Sequence, residues 1–82
     1  MIHARKDYDR IQDPAGLIPE NEPVFLIRAK DEVSALTVEK WADYAEQAGA
    51  DDRMVKAARD HAKLMRIWQR KHGWQVPDMP HS

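Results

Sequence analysis

Three of the chain's five prolines and one of its three glycines fall between Asp13 and Phe25, in "DPAGLIPENEPVF". Each proline fixes φ and lacks a backbone donor, and Pro19 and Pro23 disfavour helix at Ile18 and Glu22. Gly16 admits a turn with positive φ. The stretch is therefore extended and turning, and a long helix can form only after it. In a chain of 82 residues this leaves room for one domain at most. Such a chain buries only about 60–65% of its unfolded surface, and small scaffolds usually add disulfides, a metal or a partner chain. There is no cysteine, which excludes disulfides and thiolate metal sites and points to a reducing, cytoplasmic setting. A homo-oligomer is the remaining route to more buried area. No apolar run approaches the roughly 20 residues needed to cross a bilayer, and the N-terminus lacks a signal-peptide core.

The expected fold class is mainly α (small α+β). Residues 1–23 form an N-terminal arm and Pro-rich loop, in which "MIHARKDYDRIQ" is either a short helix or an arm. "VFLIRA" (residues 24–29) reads as a short strand, although so brief an apolar run also suits an extended segment on helices or the start of a buried helix. A helix is expected over 31–48, with Val33, Leu36, Trp41, Tyr44, Ala45 and Ala48 at three-to-four spacing. Thr37 is a possible internal N-cap, and Gly49 closes the helix. After the short "AGADD" return, an antiparallel second helix is expected over 51–72, with Asp51 as N-cap, Asp52 in the first turn and Gly73 as terminator. Its apolar face is read as Met54, Ala58, His61, Met65, Trp68 and His72, with Lys56, Arg59, Lys63, Arg66 and Arg70 nearly opposite. Trp74 is placed to fold back on the last turn, and residues 73–82 form an extended tail.

Charge is unevenly distributed. Residues 1–50 carry six basic and ten acidic side chains, net −4, whereas residues 51–82 carry seven and four, net +3. Either the halves complement each other within one fold or across a subunit contact, or the basic end meets an anion. The basic stripe suits an ordinary solvated face, and equally a nucleic-acid backbone read without sequence choice. The overall acidic balance and the absence of a DNA-binding motif weigh against duplex binding.

The four histidines give no metal spacing. His61 and His72 share a face but stand eleven residues apart, about 16 Å along a helix, and no H-E-x-x-H pattern occurs. His61 is a hydrogen-bonded core or interface histidine, or it faces a ligand. Trp41, Trp68 and Trp74 are packing residues first. Trp41 and Tyr44, one turn apart, alternatively offer a face for a nucleobase. Nothing points to catalysis or to a cofactor. "RAKDE" places Arg28, Lys30 and Asp31 at the start of the first helix, where backbone donors and the dipole collect anions. The competing reading is a loop-pinning salt bridge from Arg28 to Asp31 or Glu22. Tyr8 and Arg10, on the far side of the proline segment, are placed to close over the same cluster.

Residues 8–31, "YDRIQDPAGLIPENEPVFLIRAKD", followed by "WADYAEQAGA" at 41–50, resemble a set of small accessory proteins encoded by tailed phages and prophages. "DPxGLIPxxEPVFLxRxxD" is the distinctive part. The resemblance implies a class, that of small cysteine-free counter-defence proteins. Some of these form compact homo-oligomers that sequester nucleotide messengers of host immunity. In that reading the protein acts without catalysis in the bacterial host cytoplasm on a cyclic dinucleotide or ADP-ribose derivative. Arg28, Lys30 and Arg10 neutralise phosphate, Asp31 or Glu22 takes sugar hydroxyls, and Tyr8 or Trp41 stacks on a base. The alternatives are an interaction module that inhibits a host defence protein through the basic amphipathic helix, and a nucleic-acid-associated regulator using Lys56, Arg59, Lys63, Arg66 and Arg70.

Overall fold

The computed structural model describes residues 1–5 and 13–77. They fall into two compact units, one drawn from Met1–Ile27 and the other running Arg28–Pro77. The protein is mainly helical, with two packed helices and one short two-stranded sheet.

In the first unit, β1 (Ile2–His3) pairs in parallel with β2 (Pro23–Val24), with Ile2 opposite Pro23 and His3 opposite Val24. The Ile2 amide donates to the Glu22 carbonyl at 2.8 Å. Pro23, which has no N–H to give, stands where a strand begins. The proline segment turns twice before it. Gly16, at φ +64°, lets its amide reach the Asp13 carbonyl, and the Asp13 carboxylate accepts from the Ile18 amide at 2.8 Å. A second turn closes from Glu22 N–H to the Pro19 carbonyl. The strand expected over 24–29 is thus only two residues long and starts one residue early. Composition favours β structure through Ala29, but a strand extends only as far as a partner pairs with it, and β1 offers two residues.

The second unit is built on α1 (Ser34–Gln47) and α2 (Asp52–His72). Between them Gly49, at φ +85°, closes α1. Its amide bonds the Glu46 carbonyl and that of Ala50 bonds Ala45, a pairing that satisfies two carbonyls at the helix end. Asp51 then caps α2, its carboxylate accepting from the Arg53 amide at 2.8 Å and from the Arg53 guanidinium. Asp52 sits in the first turn and Arg70, Lys71 and His72 in the last, both favourable to the dipole.

The first helix begins at Ser34, three residues later than the sequence suggests. Asp31 forms a β-bridge with Gln75, and the Glu32 amide donates to the Gln75 carbonyl at 2.7 Å. Asp31 is committed to the bridge and Glu32 to the turn that follows it, so the helix starts only after them. Thr37 is not a cap but lies inside α1, its hydroxyl donating to the Val33 carbonyl at 2.7 Å.

The buried seam between the helices consists of small side chains. Ala35 packs with Ala62 and Met65, and Ala42 packs with Val55 and Ala58. On α2 the buried face is therefore Val55, Ala58, Ala62 and Met65, whereas Met54, His61 and Trp68 of the expected face are exposed. The face is turned toward the basic stripe because alanines allow the helix backbones to approach closely, and large rings do not fit between them. The same turn carries two cations of the stripe to the edge of α1. Arg66 forms a two-pronged ion pair with Glu39, and Arg59 bonds Asp43 and Glu46 at 3.1 Å each. The charge asymmetry of the sequence is resolved in part within this unit.

Candidate functional site

Gln69, in the penultimate turn of α2, fixes the approach to α1. Its side-chain amide nitrogen lies 2.7 Å from the Ala29 carbonyl, 3.0 Å from the Asp31 carbonyl and 3.1 Å from the Ser34 hydroxyl. Ser34 is fully buried, and its hydroxyl donates to the Ala29 carbonyl at 3.2 Å. Two amide hydrogens thus serve three acceptors and hold residues 29–34 against the end of α2.

Gly73 then redirects the chain. Its amide closes α2 on the Gln69 carbonyl at 2.7 Å, and its backbone, at φ +82° and ψ −179°, lies in a region essentially reserved for glycine. Two residues later the Gln75 amide donates to the Lys30 carbonyl at 2.9 Å. Lys30 and Gln75 become neighbours, with Trp74 raised between Gly73 and that pairing.

The result is a cleft of about 380 Å³ lined by Arg28, Lys30, Trp68, His72, Trp74 and the 73–75 backbone. Trp68 and His72 are one turn apart on α2 and stack with centroids 4.5 Å apart and planes inclined by 30°. Trp74 is well exposed. Among the described residues, Arg28 and Lys30 form no ion pair, nor do Arg70 and Lys71 in the last turn of α2. The backbone carbonyls at the end of α2 place partial negative charge beside these cations, and Asp31 stands next to Lys30. The cleft is therefore moderately, not intensely, positive. A cleft lined by two cations and three rings has the chemistry for a small ligand with an anionic group and a planar ring, since rings can stack on a planar group and a guanidinium can fork an oxyanion. The volume falls at the small end of the range for ligand pockets, about 300–1,000 Å³.

The expected site residues are distributed among three places. Arg28 and Lys30 meet in this cleft. Asp31 adjoins it, but through its backbone bridge to Gln75. Trp41 and His61 line a different hollow of about 350 Å³, with Val38, Met54, Ala57 and Ala58, and Tyr44 is exposed one turn further along α1. Glu22 belongs to the first unit, where its carbonyl supports the sheet. Tyr8 and Arg10 lie outside the described residues.

The basic face divides too. Arg59 and Arg66 are held by α1, and Lys56 pairs with Asp60 at 2.6 Å. Lys63 and Arg70 form no ion pair among the described residues. The carboxyls reflect these contacts. Hydrogen bonds from Arg66, Arg53 and Lys56 hold Glu39, Asp51 and Asp60 respectively below their ordinary values. Among the described residues, no group of three histidine or carboxylate side chains is placed to hold a metal ion, and no helix is long and apolar enough to cross a membrane.

Sequence reasoning missed Trp68, His72 and Trp74 as cleft residues. The available signal was "HGW" (residues 72–74): a helix-terminating glycine between two rings. Comparison with protein-family models, with curated proteins and with solved structures found no match.

Proposed function

We propose that this protein is a non-catalytic binding protein for a small phosphorylated ligand of the nucleotide type, held in the cleft at the end of α2. One observation carries the reading: Arg28 and Lys30, without ion-pair partners among the described residues, share a ligand-sized cleft with Trp68, His72 and Trp74. Arg28 and Lys30 neutralise phosphate, and an exposed ring, Trp74 foremost, stacks on the base at about 1–3 kcal/mol. Taken with the resemblance to small proteins of tailed phages, capture of this kind serves counter-defence: in the bacterial host cytoplasm the protein sequesters a cyclic dinucleotide or an ADP-ribose derivative and blunts the signal.

The test is a thermal-shift and calorimetric panel of cyclic dinucleotides, ADP-ribose derivatives, mononucleotides and inorganic phosphate on the purified full chain. The expected result is saturable binding of a phosphorylated nucleotide, recovered chemically unchanged. Arg28→Ala and Trp74→Ala should each weaken it at least tenfold, while Lys63→Glu leaves it intact. Absence of binding across the panel at millimolar ligand would end this reading.

A further inference from the structure

The two long edges of the helix pair differ sharply. One is sealed by the Glu39–Arg66 pair and by Arg59 with Asp43 and Glu46. On the other, Trp41 of α1 and Met54, Ala57 and His61 of α2 line one hollow, with exposed Tyr44 and Leu64 one turn further along their respective helices. The α2 residues follow steps of 3, 4 and 3, the a/d spacing of a helix–helix seam, over about 15 Å of helix. No Asp, Glu, Lys or Arg lies among these six positions. Aromatic side chains and Met with no Lys or Glu is the composition of an interface core, not of solvated surface.

We infer that this edge is the contact between two copies of the chain, which pair their helices into a four-helix arrangement. Area supports a second copy as the occupant. Trp41 is 50% exposed, Tyr44 67%, Met54 49% and Leu64 59%. Taking about 200 Å² for a fully accessible large side chain, these four leave roughly 450 Å² uncovered on each copy. A twofold contact buries about 900 Å² from them alone, and Ala57, His61 and flanking backbone bring it to the ~1,000 Å² that a specific interface needs. Charge does not oppose the pairing, because the chain carries a net charge of only −1. The core supplies the need: the buried apolar residues of the helical unit are four alanines, one valine and one methionine, too little for a lone unit of this size to be more than marginally stable. Two such hairpins meeting through a/d seams form a compact bundle.

The inference is independent of the ligand reading and has its own readout. Sedimentation velocity on the full chain between about 5 and 200 µM should give twice the chain mass at the upper end. Leu64→Glu and Trp41→Glu replace exposed side chains, so both should keep native helical circular dichroism while sedimenting as monomers. Lys63→Glu, on the far side of α2, should remain a dimer. A monomeric native protein at 200 µM overturns the inference. So does a dimer that survives both glutamate substitutions, since the contact then lies elsewhere. A monomer that still binds nucleotide would leave the proposed function standing.

Discussion

Replacing Gln69 by leucine tests whether one side chain holds the cleft together. Leucine keeps most of the volume and removes the amide that bonds Ala29, Asp31 and Ser34. The magnitude depends on what those acceptors retain. The Ala29 carbonyl still receives the Ser34 hydroxyl, and the Asp31 carbonyl still receives the Ser34 amide at 2.9 Å. No buried acceptor is left wholly without a partner, so the full desolvation penalty does not apply. The loss is that of two amide hydrogens at about 0.5–1.5 kcal/mol each, giving roughly 1–3 kcal/mol. For a chain of this size each kcal/mol lowers Tm by about 4–8 °C. Urea unfolding followed by tryptophan fluorescence measures the first quantity, and its slope should be unchanged because the surface exposed on unfolding is nearly the same. Trp68 and Trp74 flank the anchored segment, so native-state emission should also shift. A Gln69→Leu variant within 0.5 kcal/mol of the native protein, with unaltered emission, would refute the assignment of Gln69 as the anchor.

Gly73→Ala should destabilise by about 1–3 kcal/mol, because no atom crowds the added methyl and the strain is purely that of the backbone; urea midpoints measure it, and an unchanged midpoint would show that the turn can be made by another conformation. Acid should weaken the fold in a defined window. Glu39, Asp51 and Asp60 titrate below their ordinary values of 4.5, 3.8 and 3.8 in the folded chain. Their contribution is therefore complete above the unfolded values and is lost as pH falls through the folded ones. Urea midpoints should hold from pH 7 to about 5 and then fall below about 4.5, with a shallower fall in Glu39→Gln; identical acid profiles for the two proteins would exclude the Glu39 pair as a contributor.

The ends of α2 were legible because caps are local: Asp51 satisfies an amide two residues away, and Gly73 meets a demand made by its own backbone. The start of α1 was not, because the Glu32 amide is claimed by Gln75, 43 positions further along. The run at 24–29 has every β preference, but its strand length is set by a two-residue partner, Ile2–His3, far earlier in the chain. The three-to-four spacing gave α2 its amphipathic character but not its angle. Alanines decide that by allowing close approach, and they turn Met54, His61 and Trp68 out of the seam. The excess of acid in one half and base in the other was visible, while the pairing of Glu39 with Arg66 needed the packed helices. That Arg28 and Lys30 stand together was legible, and their aromatic companions in the cleft were not, since Trp68 and His72 fit the period of a buried face equally well.

The bridge between residues 30–32 and Gln75 has a practical consequence. It places the entrance and exit of the helical unit side by side, joined by hydrogen bonds of 2.7 and 2.9 Å. A segment whose ends meet can be spliced into a surface loop of another protein without prying that loop apart. Residues 28–77 can therefore be grafted through short linkers into a fluorescent host, whose emission would report whether the helical unit folds away from the rest of the chain.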